Sequence, residues 1–303
     1  VDEHAGDDRL AGRFEEHRSQ LRAVAYRMLG SVSEADDAVQ EAWLRLSRSD
    51  VTGVDNLGAW LTTVVARLCL NMLRSRQTRR EDPLETQPAL EGGADPEREA
   101  VLADSVGVAL LVVLDRLSPA ERLAFVLHDM FAVPFDEIAA MVERSPEAVR
   151  QLASRARRRV RGASAPVSDA ASRRRVVDAF LAATRGGDFE ALVTLLHPDV
   201  VLRADRLVVP TPEPVVVRGA RVVAQGAMAA TGRARFTGVA LIDGAAALAM
   251  APYGRLRLVL TFTVEAGLIT GIDVIADPDR LRDLEFAVPD TILDVVPDVV
   301  PDA

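Results

Sequence analysis

Five side chains within nine residues carry the most specific chemistry in this sequence: Arg150, Gln151, Ser154, Arg155 and Arg158. Guanidinium, amide and hydroxyl groups at these spacings share one face of a helix. Together they can donate to phosphates and to the acceptor edges of bases in a DNA major groove. A second set could do proton chemistry. His197, Asp199, Asp205 and Asp273 are the candidates for a general base in the last third of the chain. His197-Pro198-Asp199 falls at a helix-to-strand junction, however, where capping and turning the chain is the expected role. Only one tyrosine, Tyr253, follows residue 26, which argues against a tyrosine-lined oxyanion hole. The single cysteine, Cys69, excludes an internal disulfide or a multi-cysteine metal site and reads as a small buried hydrophobe. No metal and no cofactor is expected.

The elements that must position the arginines follow from periodicity. In FAVPFDEIAAMVERSPEAVRQLASRARRRV (residues 131–160), Phe135 to Met141 reads as a short helix and Val142 to Arg144 as a turn. Ser145 is placed to cap the next helix, with Pro146 at its first position. There Val149, Leu152, Ala153, Ala156 and Val160 form the inward stripe, while Glu147 and the five donors point outward. This is a helix-turn-helix with a recognition helix. Upstream, SVSEADDAVQEAWLRL predicts a helix capped by Ser33, with Ala35, Ala38, Val39, Ala42, Trp43 and Leu46 inward. Asp37, Gln40, Glu41 and Arg45 are then left on the outer face. Leu57 to Arg76 is another helical run, in which Trp60 reads as core.

Net charge is −9, which by itself disfavours a nucleic-acid partner. The charge is sorted along the chain, though. Trp60–Arg80 and Glu143–Arg161 are each +5, whereas Glu81–Glu99 and Asp277–Ala303 are each −6. Two basic segments around an acidic one predict two nucleic-acid contacts. All the basic residues other than histidine are arginine, as a GC-rich genome would produce. With 49% hydrophobic residues and mean hydropathy of +0.11, the chain can bury real cores. The absence of a long apolar span or an apolar N-terminal leader predicts a cytoplasmic protein with no membrane partner.

Breaker-rich segments divide the chain. Residues 81–99 form an acidic linker, and GASAPVS (162–168) a shorter one. Beyond it, Ser172–Thr184 and Asp188–Leu196 predict two helices joined at Gly186-Gly187. Alternation over Arg255–Val264, with Leu256, Leu258, Leu260, Phe262 and Val264 on one face, then predicts a strand. It turns at Glu265-Ala266-Gly267 into a second strand, Leu268–Ile275. Helices followed by antiparallel strands make an α+β domain.

DDAVQEAWLRL (36–46), AWLTTVVARLCLNMLRSRQTRRE (59–81), LSPAERLAFVLHDMF (117–131) and the helix-turn-helix, in that order, resemble the extracytoplasmic-function sigma factors. FLAATRGGDFEALVTLLHPDVVL (180–202), VVVRGARVVAQ (215–225) and LTFTVEAGLITGIDVIADPDRL (260–281) resemble the SnoaL-like domain, and the fusion resembles the SigJ-like group. DPDRL (277–281) resembles the NPDKL-type motif of one branch of that group, but its WLPEP-type linker motif is missing.

The resemblance implies a multidomain chain. Two all-α sigma domains, the second with the helix-turn-helix, precede an α+β SnoaL-like cone-shaped domain. The expected boundaries are 9–80 for region 2, 81–99 for the linker, 100–162 for region 4, 169–286 for the SnoaL-like domain and 287–303 for an acidic tail. The resemblance further implies a factor that binds RNA polymerase core (β′ and β subunits) and promoter DNA. Asp37, Gln40 and Glu41 would dock on β′. Trp60, Arg67, Asn71, Arg74 and Arg76 would read the −10 element. Arg150, Gln151, Ser154, Arg155 and Arg158 would read the −35 element. The acidic linker would follow the polymerase's RNA path. The C-terminal domain would tune activity in cis rather than act as an enzyme, with a small ligand or an anti-sigma protein as further candidate partners. The rivals are a stand-alone ligand-sensing helix-turn-helix regulator and a cyclase or isomerase fusion.

Overall fold

The computed structural model describes residues 2–49, 53–81, 107–162, 167–208 and 213–288. The acidic linker, most of GASAPVS and the tail beyond Val288 lie outside them, as do the side chains of Arg79 and Arg80. The described residues gather into two compact units.

The first unit is helical. It holds α1 (Asp2–Leu29), α2 (Val32–Leu46), α3 (Leu57–Glu81) and most of the helix-turn-helix segment. Gly30, at φ 77°, ends α1, and the chain re-enters a helix at once. That early restart makes Ser31 the cap of α2, with the Glu34 N–H donating to its Oγ at 3.5 Å. Ser33, expected to cap, lies inside the helix instead. The predicted stripe of α2 is otherwise correct: Ala35, Ala38, Val39, Ala42 and Leu46 are buried. They pack in a unit whose core also takes in Leu21, Val24 and Met28 of α1 and Leu61, Val65 and Cys69 of α3. Trp43 is half-buried, its ring 5.2 Å from that of Phe14.

After α4 (Val108–Asp115), a complete capping box starts α5 (Pro119–Phe125): Ser118 and Glu121 each bond the other's backbone N–H. A π-helical turn at Val126–Met130 follows. There His128 places Nδ1 3.0 Å from the Val133 carbonyl and stacks on Phe135 at 3.7 Å. These contacts fix the entry to α6 (Phe135–Val142). Glu143 then takes a left-handed conformation, φ 56° and ψ 46°, and α7 runs from Pro146 to Arg161.

The second unit groups residues 107–113 with described residues from Arg158 to Val288. It contains α8 (Val167–Gly186) and α9 (Phe189–Leu195), the latter capped by Asp188. Seven strands follow: β1 (Leu196–Ala204), β2 (Val215–Arg218), β3 (Thr237–Ile242), β4 (Ala245–Met250), β5 (Leu258–Glu265), β6 (Leu268–Ile275) and β7 (Phe286–Ala287). Between them come α10 (Ala220–Ala229), α11 (Thr231–Ala234) and α12 (Pro278–Asp283). The sheet order is β2-β1-β6-β5-β4-β3-β7, with only β1 and β6 parallel.

The β5–β6 turn is the predicted hairpin. Ala266 and Gly267 both have positive φ, 50° and 82°, as the right-handed strand twist favours. On the inner face, Val177, Phe180 and Leu181 of α8, Leu192 of α9 and Val223 of α10 pack with Leu196, Val200, Leu248, Ile269, Ile272 and Val274. Leu258, Leu260, Phe262 and Val264 join this core as expected. The strand begins at Leu258 rather than Arg255, however, and its most buried residue, Val259, points the other way.

Candidate nucleic-acid interface

In α7 the sequence reading of both faces is borne out. Val149, Leu152, Ala153, Ala156 and Val160 are buried, and Arg150, Gln151, Ser154, Arg155 and Arg158 are exposed. Ser145 caps the helix, accepting from the Ala148 N–H at 3.2 Å. Two of the five donors are steered by neighbours that sequence reasoning missed. The Arg150 guanidinium lies 5.5 Å over the Phe135 ring and 3.7 Å from Glu147. Arg155 Nε sits 3.5 Å from the buried carboxylate of Glu121. Glu147 is held ionised: its own backbone N–H and the Ser145 hydroxyl lower its pKa, with a smaller contribution from Arg150.

Arg157, set among these arginines, has a different job. Its Nε lies 2.5 Å from Asp129 in the π-helical turn, tying α7 to that turn. A rotation of ~100° from one residue to the next separates the two roles.

On α3, Trp60, Arg67, Asn71 and Arg74 recur at intervals that bring them to one side of the helix. Trp60 is half-buried, and the other three are exposed. Arg67 donates to the Ala140 carbonyl of α6 at 3.0 Å. Arg76 does not belong to this stripe. It lies two residues beyond Arg74, hence ~200° around the helix. There it bonds the Leu29 carbonyl at 3.2 Å and pairs with Glu34, its side chain only 14% exposed. Arg76 therefore ties α3 to α1 and α2.

On α2, Asp37 and Gln40 are exposed, and Glu41 is half-buried and bonded to Arg45 at 3.0 Å. Asp36, beside them, pairs with Arg22 at 2.6 Å. Between α1 and α2 lies an open groove of about 800 Å³, lined by Phe14, Arg18, Asp36, Gln40 and Trp43 among others.

The four candidate bases do not converge. His197 Nδ1 accepts from the Asp199 N–H at 3.2 Å, the local turn that the sequence predicts, and Asp199 is exposed. Asp273 faces away from the inner core, 4.0 Å from Arg203. Asp205 binds the DPDRL segment. It accepts from the Ala276 and Asp277 N–H groups at 2.9 and 3.0 Å and from Arg280 at 2.7 Å. Burial, the largest single influence, pushes its carboxyl upward, but those donors together outweigh it and hold it below the usual value. In the second unit the buried polar side chains among the described residues are Thr184 and Thr237, both bonded to backbone carbonyls. Cys69 is buried, which pushes its thiol up to about 12.

Two family models match these helices: Sigma-70 region 2 over residues 13–79 and Sigma-70, region 4 over residues 107–160. The probable sigma factor SigI of Mycobacterium tuberculosis is 36% identical over 284 residues, covering 91% of this chain and 96% of that protein. The chain belongs to the extracytoplasmic-function RNA polymerase sigma factors. The sigma factor SigJ of the same species is 46% identical over 199 residues, a match spanning 63% of this chain and 64% of SigJ. The crystal structure of M. tuberculosis SigJ aligns over 90% of this chain and 98% of its own, at 34% identity and a TM-score of 0.43. Sigma factors of this family direct RNA polymerase to promoters, and this chain carries both sigma regions followed by the expected α+β unit. Among the described residues, no helix is long and apolar enough to cross a membrane.

Proposed function

We propose that this sigma factor docks on the β′ subunit of core polymerase through Asp37, Gln40 and Glu41. In this reading it meets the −10 element with Trp60, Arg67, Asn71 and Arg74, and the −35 element with Arg150, Gln151, Ser154, Arg155 and Arg158. The observation that carries it is the complete sorting of α7 into a buried aliphatic face and an exposed face of arginine, amide and hydroxyl donors. Phosphate contacts set the register of such a helix, and bidentate arginine contacts to guanine supply specificity. The C-terminal unit acts as a regulator in cis and not as a catalyst, because its four candidate bases do not converge and Asp205 is taken up by the Ala276 and Asp277 N–H groups and Arg280. Its working compartment is the cytoplasm, where polymerase acts.

Run-off transcription with core polymerase tests the assignment. Asp37→Arg combined with Glu41→Arg leaves the buried stripe of α2 intact, so the protein stays folded while its affinity for core falls. Undiminished core binding by that variant sinks the docking role. Activity without core polymerase would favour a stand-alone regulator.

A further inference from the structure

Arg150 carries a long side chain, 49% exposed, and immobilising such a chain on binding costs entropy that a preset conformation avoids. Two neighbours already limit it. Glu147, three residues back on α7, lies 3.7 Å away, but its side chain is 73% exposed and the pair is therefore screened by salt. The other neighbour is the ring of Phe135, the first residue of α6, whose centroid lies 5.5 Å from the Arg150 guanidinium carbon above it. The two differ in what they leave for a ligand. A carboxylate takes up N–H donors that a base would need. A ring face has no lone pair and leaves those donors free.

The ring is itself held in place. Phe135 is only 7% exposed. The His128 imidazole stacks on it, with centroids 3.7 Å apart and planes 26° from parallel. His128 Nδ1 lies 3.0 Å from the Val133 carbonyl, which can only accept, so Nδ1 carries the hydrogen and the orientation of the imidazole is set. The π-helical turn brings His128 there. Just beyond that turn, the Ala132 N–H donates to the His128 carbonyl and the Val133 N–H to the Leu127 carbonyl, both at 3.0 Å. Contacts thus run from the backbone at Val133 through His128 and Phe135 to Arg150, all inside the first compact unit.

We propose that Phe135, steadied by His128, is a positioning residue for −35 recognition: it presets the Arg150 guanidinium for contact with a base. Neither residue touches DNA in this role. Each acts through Arg150, so the selectivity of the recognition helix depends on a ring that the preceding helix supplies. When a base or phosphate displaces Glu147 from Arg150, the ring contact persists and keeps the guanidinium aimed. This inference rests on the −35 reading proposed above and deepens it.

Holoenzyme affinity for a promoter series, with each −35 base pair changed in turn, tests it. Arg150→Ala marks the base pair that Arg150 reads. Phe135→Leu keeps an apolar side chain at the buried site but removes the ring. It should cut discrimination at that same base pair by about two- to fivefold and leave the other positions unchanged. In an Arg150→Ala background, Phe135→Leu should do nothing further at that position. Phe135→Tyr keeps the ring and should behave as the parent. His128→Ala leaves Phe135 itself untouched and should reproduce part of the loss at the same base pair, so the outcome does not hang on the folding of one variant. A ring that merely filled the core would instead lower the urea midpoint and weaken binding to every promoter alike. That pattern, or an equal loss in the Arg150→Ala background, overturns the positioning role while a position-specific Arg150→Ala leaves the −35 reading standing. If Arg150→Ala altered no base preference, the −35 role of Arg150 would fall, and the positioning role with it.

Discussion

Arg157 and Arg158 are adjacent on α7, yet removing them should damage different properties. Arg157 Nε lies 2.5 Å from Asp129, whose side chain is only 15% exposed, while Arg157 is itself 36% exposed. A charge-assisted bond of this kind contributes ~1.5–3 kcal/mol when shielded, and water at the arginine reduces that. Arg157→Ala also takes that cation away from a mostly buried carboxylate. The net loss of stability should be about 1–2 kcal/mol, read as a lower urea midpoint at an unchanged slope. Arg158 is exposed, so Arg158→Ala should change stability by less than ~0.5 kcal/mol. Its effect should appear in holoenzyme binding to promoter DNA instead. A lost phosphate contact lowers the salt slope by about one, and a lost base contact costs ~1–3 kcal/mol at one sequence position. Measuring both variants by urea unfolding and by DNA affinity across a salt series separates the roles. If Arg157→Ala proved as stable as the parent, or if Arg158→Ala left DNA affinity untouched, the division of α7 drawn from the structure would be wrong.

Two further outcomes follow from backbone and acid–base chemistry. Glu143 holds a left-handed conformation that costs a side-chain-bearing residue ~1 kcal/mol, so Glu143→Gly should stabilise the helix-turn-helix by about that much. An unchanged or lower midpoint would count against strain at the turn. The folded protein lowers the pKa of Asp205, so the unfolded chain takes up its proton more readily. The clamp's contribution is therefore complete above the ordinary aspartate value and is lost as pH falls through the lower folded value. The Ala276 and Asp277 amide signals should accordingly titrate below the usual aspartate range. Asp205→Asn should abolish that inflection, and an inflection above the range would refute the clamp.

How much of this was legible in the sequence depended on whether a segment had one buried face or more. In α7 and α2 a single apolar stripe faces a single polar one, so period 3.6 alone assigned nearly every residue correctly. Trp43 and Trp60 blurred it, because large amphipathic rings settle half-buried at the stripe's edge. Strand β5 was harder. Both faces of its sheet are covered, so alternation located the strand but could not show that Val259 would be as buried as its neighbours. The run VALLVVL (108–114) is apolar throughout and carries no phase, so nothing local indicated that Val108 would lie against Gly238, 130 residues away.

Charged residues divided by partner rather than by type. Arg74 and Arg76 look equivalent as letters, as do Arg157 and Arg158, and only the position of Glu34 and Asp129 in three dimensions turns one of each pair inward. Asp205 shows the same rule from the acidic side. A carboxylate that could have served as a base is occupied by two backbone N–H groups and Arg280, all from the segment whose DPDRL motif resembled a family signature. The motif's physical content is thus a turn held by a distant aspartate. It leads through α12 into β7 and so delivers the Val288 N–H to the end of the recognition helix.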